Sequence, residues 1–285
     1  LSGVWLLLWN PLVLYETFGH GHNDWAMVFW IILAVWALER RRYSLSVAAL
    51  VIGGMFKYIP LLLLPIVGLL ALRDLPDRRA RWRFVITAGI ASLLIVAASF
   101  VPFWAGANTL TLARRAGMYT TSFPAIVYEC LQLFIGKPLA SEWVSSISLS
   151  LTAIAAIGFG IAAMRNRSEP AWQAFARAGT QMLLFYTLVT CLWFQVWYLL
   201  WAIGLAALLP TGALQGLAIG VGFAVLTKPL AIVPIVLWKR PWLPQPLLEF
   251  RLTGGVMGAP WLAALGVIYA GWRKRKAGLK QNETR

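Results

Sequence analysis

Long apolar runs separated by short basic clusters dominate the chain. Lys and Arg gather at Arg40-Arg41-Arg42, at Arg73 with Arg78, Arg79, Arg81 and Arg83, at Arg165 with Arg167, and at Arg273-Lys274-Arg275-Lys276. Basic clusters placed this way mark the cytoplasmic ends of membrane helices. They predict segments 1–14 outward, 22–38 inward, 84–101 outward, 143–164 inward, 175–194 outward, 197–209 inward, 213–237 outward and 255–272 inward. Residues 102–124 form an external loop in this reading, and 125–135 a short re-entrant or interfacial piece.

The stretch 44–72 lies between two basic clusters, so both of its ends belong on one side. As one helix it would reach about 44 Å, against a hydrocarbon core of about 30 Å. Pro60, just past Lys57-Tyr58, supplies a break and predicts a hairpin of short helices, 44–56 and 60–72. Its tip would sit at membrane depth, shielded by protein. The expected fold is an all-α polytopic transmembrane bundle of about nine to ten membrane segments, this hairpin included. One domain over 1–285 is expected, with a polar, disordered cytoplasmic tail at 274–285. Leu1 falls inside an apolar run, so helices and an external loop upstream of it are also expected.

Composition supports a membrane class. Sixty per cent of the residues are apolar and 12% are charged, about half the charge of a soluble domain. The formal charge of +15 resides in the inter-helix clusters rather than on a polar domain, which argues against a nucleic-acid partner. Cys130 and Cys191 lie in apolar context with no metal spacing and no expected disulfide.

The polar residues within the apolar pattern are the candidate chemistry. Gly19-His20-Gly21-His22-Asn23-Asp24 opens a membrane helix, where ionisable groups are costly unless they face protein, water or a ligand. Asn23 reads equally as a helix cap and as a binding group. His20 and His22 alternate like a metal pair but lack a third and fourth ligand, so no metal is assigned. A carboxylate with imidazole neighbours suits proton abstraction, which nominates Asp24 and His22 as catalytic. Lys57 at the hairpin tip needs an anion, either an internal carboxylate or a bound phosphate. Arg114 and Arg115 in the external loop read as a lipid-phosphate site or as solvated charges. Gln195, Trp197 and Tyr198, within Trp193–Trp201, read as an interfacial aromatic belt or as a groove for a prenyl chain or sugar face. No P-loop, GxGxxG, HExxH or serine-nucleophile motif occurs, so nothing marks a nucleotide site. The topology places Asp24, Lys57, Arg114, Arg115, Gln195, Trp197 and Tyr198 on one, extracytoplasmic, side.

Asn10-Pro11-Leu-Val-Leu, then Gly-His-Asn-Asp with Trp25-Ala26-Met27, then Gly53-Gly54-Met-Phe-Lys57-Tyr-Ile-Pro60-Leu-Leu-Leu-Leu-Pro65, resembles the integral-membrane GT-C glycosyltransferases. The nearest groups are the bacterial polyprenol-phosphate-mannose-dependent mannosyltransferases and glycosyltransferase family 87. Phe194-Gln195-Val196-Trp197-Tyr198-Leu-Leu-Trp201 is similar to a segment in which Val196 is usually Pro. The resemblance covers most of residues 4–210.

It implies inverting transfer of a sugar, mannose first, from a polyprenyl-phosphate carrier to a glycolipid or glycan hydroxyl. The site would face outward from a bacterial plasma membrane, with membrane lipids as neighbours. No cofactor is implied beyond the donor, and a divalent metal stays open. The family's base lies in an external loop ahead of the Asn-Pro segment. Asp24 therefore either abstracts the proton or supports groups that do. Lys57 matches the hairpin lysine, with Asn23, His20, Gln195, Trp197 and Tyr198 as substrate contacts. Arg114 and Arg115 match no motif. A transporter or flippase of a lipid-linked substrate is the rival reading. The two Lys-Pro breaks, Lys57-x-x-Pro60 and Lys228-Pro229, have unlike surroundings, which counts against the inverted repeat transporters often carry.

Overall fold

The computed structural model describes residues 2–106, 109, 118–210 and 212–225, together with 258, 261–267, 269, 270 and 273. Arg114, Arg115, Lys228, Pro229 and the tail 274–285 lie outside the described residues, as do residues 226–237 of the expected 213–237 segment and residues 255–257, 259, 260, 268, 271 and 272 of the expected 255–272 segment.

The described residues are helical, with one isolated β-bridge between Thr120 and Trp193. The expected first helix is broken in two. Helix α1 (Ser2–Leu8) stops before Asn10, and α2 (Pro11–Leu14) restarts beyond it. Asn10 caps α2, its Oδ1 accepting from the amides of Leu12 (3.0 Å) and Val13 (3.4 Å), and Pro11 supplies the first-turn φ. The Asn-Pro pair is thereby explained as a break-and-cap device.

Helices α3 (Asp24–Glu39) and α4 (Tyr43–Phe56) form an antiparallel pair. Arg40 and Arg42 lie at their joined end and Asp24 and Lys57 at the other. The chain turns back after Lys57 as expected: a 3-10 turn (Ile59–Leu63) leads into α5 (Leu64–Asp74), which begins four residues later than the predicted start at Pro60. Gly53 makes the turn tight, since a Cβ there would lie 3.2 Å from the Pro60 ring and 3.1 Å from Trp30.

Helix α6 (Arg78–Phe100) begins earlier than predicted. Asp77 caps it by accepting from Ala80 N at 2.7 Å, so Arg78, Arg79, Arg81 and Arg83 lie on its first turns rather than in a loop. A short helix α7 (Phe123–Ile135) matches the expected short piece. Helix α8 (Lys137–Arg165) also starts before its predicted boundary, with Pro138 in its first turn. The post of the bundle is α9 (Ala171–Phe185), packed by α3, α5, α8, α10 (Leu199–Ala206) and α11 (Ala213–Val225). All of α10 is buried.

Among the described residues, two helices, Arg78–Phe103 with its terminal 3-10 turn and Lys137–Arg165, are long and apolar enough to cross a membrane. The expected count of nine to ten spans is not confirmed among the described residues. Among the described residues, the Asn10-Pro11 break divides the first expected segment and the turn at Pro60 divides the stretch 44–72. Surface character still points to lipid. Helix α6 buries only Ala88 and exposes Val85, Ile86, Ile90, Leu93 and Leu94. Soluble proteins rarely expose apolar surface on that scale. Helix α8 turns Ile147, Ile154 and Ile157 outward and buries Ser148, Thr152, Ala156, Gly160 and Ala163. A seam of small residues allows close helix approach where lipid removes the hydrophobic drive for packing. At Gly160 a Cβ would sit 3.4 Å from the Cα of Ile66 on α5.

The basic end is tied by hydrogen bonds. Arg73 Nη1 donates to the carbonyls of Ala163, Asn166 and Glu169, joining α5 to the α8–α9 turn. Tyr43 donates to Asp74 at 2.7 Å, joining α4 to α5.

Candidate functional site

Two polar clusters meet at the end of the α3–α4 pair remote from Arg40. The first is built on Asp24. It is the first residue of α3, only 1% exposed, at a helix N-terminus that favours negative charge. Lys57 Nζ donates to both carboxylate oxygens at 2.8 and 2.7 Å, and Trp201 Nε1 donates to one of them at 2.6 Å. Three of the four lone-pair positions of the carboxylate are thus occupied. The Lys57 ammonium also lies 5.7 Å from the Tyr198 ring and 6.0 Å from the Trp201 ring, which stack on each other at 4.2 Å. Aromatic faces and a carboxylate together hold a cation in a partly dry site.

The second cluster is built on a π turn, Tyr15–Gly19, that widens the end of α2. Wide turns of this kind recur at functional sites. This one turns Glu16 inward, leaving it 3% exposed. Gly21, at φ +67°, reverses the chain so that His20 and His22 both approach Glu16. His20 Nδ1 lies 3.1 Å and His22 Nε2 3.4 Å from the same oxygen, Oε2. The backbone amide of His22 also donates to the Glu16 carbonyl at 3.1 Å.

His22 joins the clusters. Its ring stacks on Trp197 at 3.8 Å and 22°, and Trp197 meets Tyr198 edge-on at 6.0 Å. A second π turn, Tyr186–Thr190, ends α9 beside the site. The Tyr186 hydroxyl lies 2.6 Å from that of Tyr58 on the hairpin tip. The 118–122 strand-like segment is fastened to the aromatic stretch. Phe194 N donates to Thr120 O, Thr121 Oγ1 to Phe194 O and Ser122 Oγ to Leu192 O.

Of the residues nominated from sequence, the structure brings together His20, His22, Asp24, Lys57, Trp197 and Tyr198. Gln195 begins the 3-10 turn Val196–Tyr198, its carbonyl accepting from Tyr198 N. Asn23 is exposed and makes no capping hydrogen bond, so the helix-cap reading of its side chain is replaced. Lys57 takes the internal carboxylate, one of its two expected anions. Asp24, expected either to abstract a proton or to support groups that do, has the geometry of a residue that positions Lys57. Sequence reasoning missed Glu16 and the donor role of Trp201. The available signal for Glu16 was its place four residues before His20.

Residues 2–73 match the family model described as alpha-(1->6)-mannopyranosyltransferase, N-terminal domain. That segment is similar to a mannosyltransferase domain. The match supports mannosyl transfer, hence a sugar donor and an acceptor, and it spans Asn10, Glu16, His20, His22, Asp24, Lys57 and the hairpin to Arg73. No curated protein and no solved structure matches the chain.

Proposed function

We propose that this protein is a GT-C-type mannosyltransferase of the membrane, multi-pass, drawing mannose from a polyprenyl-phosphate carrier. The acceptor is a hydroxyl of a glycolipid or glycan, and the reaction faces outward from a bacterial plasma membrane. The observation that carries the reading is the Asp24–Lys57–Trp201 constellation inside the segment similar to a mannosyltransferase domain.

An ammonium has three N–H donors, and two of Lys57's go to Asp24. The third suits a phosphate oxygen of the carrier, and the partly exposed side chain allows access. Asp24 sets the direction of that ammonium. Stabilising charge on the departing phosphate lowers the barrier for attack of the acceptor hydroxyl on the anomeric carbon. The mannose–phosphate bond breaks as the new glycosidic bond forms, with inversion, and the departing phosphate carries off the proton of the acceptor hydroxyl. The face formed by Trp197, Tyr198 and Trp201 suits a sugar ring.

The experiment supplies radiolabelled polyprenyl-phosphate-mannose to the protein in membranes without nucleotide sugar. Label in a new glycolipid or glycan is expected. Transfer only from a nucleotide sugar would overturn the donor class. Label crossing the bilayer with no new covalent product would replace the enzyme with a flippase.

A further inference from the structure

We infer that Glu16, His20 and His22 form a divalent transition-metal site. The chain has two histidines, and both converge on one oxygen of one buried carboxylate. The ligand atoms of the three residues all lie within 4.8 Å of one another. Metal–ligand bonds of about 2.0–2.1 Å at a tetrahedral angle place neighbouring ligand atoms about 3.4 Å apart. The observed separations from Glu16 Oε2 are 3.1 Å to His20 and 3.4 Å to His22. The longer of these is beyond the usual range of a hydrogen bond, yet it suits two ligands of one ion.

Electrostatics points the same way. Glu16 is 3% exposed, and among the described residues its ion-pair partners are the two imidazoles, with no Lys or Arg. A buried carboxylate requires compensation, which a divalent ion supplies in full. The rings are also held in place, as a metal site requires. His20 packs edge-on against Tyr15 at 4.5 Å, and His22 stacks on Trp197. Gly21 at φ +67° sets both imidazoles toward the carboxylate.

Two imidazoles and one carboxylate favour Zn2+, Co2+ or Mn2+ over Ca2+ or Mg2+. Three protein ligands leave a position for water or an anionic oxygen, the arrangement of catalytic rather than structural sites. That this position takes an oxygen of the sugar-phosphate donor rests on the function proposed above; binding of the ion does not.

The test uses the full chain purified in detergent and stripped with chelator. Zn2+ is titrated by calorimetry with no sugar present. One ion per chain is expected, with affinity reduced about tenfold or more in Glu16→Gln and in His22→Gln. Glu129→Gln, a change on α7, should bind as the unaltered protein does. Affinity unchanged in Glu16→Gln, or no binding by the unaltered protein, overturns the site. A second readout needs no variant. Zn2+ should protect His20 and His22 from diethyl pyrocarbonate, read by mass spectrometry, and equal modification with and without Zn2+ overturns the proposal. Ion binding with transfer indifferent to chelation would overturn only the donor-oxygen role.

Discussion

Lys57 and Asp24, 33 positions apart, form a two-point ion pair, with Nζ 2.8 and 2.7 Å from the two carboxylate oxygens. Asp24 opens α3 and Lys57 closes α4, so the pair locks the two helix ends that carry the site. Removing one partner of a buried pair strands the other charge, which costs several kcal/mol. The Lys57 side chain is 31% exposed, and this reduces the effect. Lys57→Ala should destabilise by about 2–3 kcal/mol. Asp24→Asn with Lys57→Met should lose less than the sum of the single changes, by about 1–3 kcal/mol. A double-mutant cycle on thermal unfolding in detergent checks this, and strict additivity would refute the coupling.

The same pair bears on the proposed transfer. Lys57→Ala should raise KM for the polyprenyl-phosphate donor more than it lowers kcat. Steady-state kinetics decides, and a kcat loss with unchanged KM would remove Lys57 from phosphate holding.

Trp201 donates to Asp24 while stacking on Tyr198. Trp201→Phe keeps an aromatic ring and deletes the donor, leaving a buried carboxylate with one hydrogen bond fewer. A loss of about 1–3 kcal/mol is expected by thermal unfolding. A stability equal to that of the unaltered protein would mean the indole N–H contributes nothing.

The α5–α8 seam makes a steric prediction. A side chain at Gly160 meets Leu69 and the backbone of Ile66, whereas nothing lies within 4 Å of a Cβ at Gly158. Gly160→Leu should cost about 1–3 kcal/mol from overpacking. Gly158→Ala should be neutral or stabilising by up to about 1 kcal/mol through helix propensity. Paired melting curves test both changes.

At the basic end, Asp74 titrates in a predictable direction. Burial raises its pKa, but hydrogen bonds from Arg73 and Tyr43 and the charges of Arg73 and Arg41 outweigh burial and hold the carboxyl below its ordinary value. A depressed folded-state pKa gives stability that is present above the unfolded value, about 3.9, and lost as pH falls through the folded value. The thermal midpoint should therefore drop below about pH 4, and Asp74→Asn should flatten that part of the profile. An identical acid limb in the variant would show that Asp74 does not contribute.

Local rules carried the sequence reading where neighbours in sequence decide the outcome. Pro60 gave the turn after Lys57, because a proline acts on its own turn. The expected topology put Asp24, Lys57, Trp197 and Tyr198 on one side, and the structure brings these four together. Helix starts were misplaced at α6 because Asp77, a cap with a side-chain partner only three residues on, was hidden among arginines. Among the described residues the expected first span is divided at Asn10-Pro11, a break that apolar composition alone does not register.

The sequence by itself determined an apolar, helical chain, the turn at Pro60 and the set of polar residues available to a site. Tertiary structure decided how those residues are spent. It gave Asp24 to Lys57 and Trp201, and it brought Glu16 to the two histidines. These pairings depend on helix register and on the wide turn after α2, which no residue encodes alone. A carboxylate's task follows from which donors reach it, and only the packed helices set those distances.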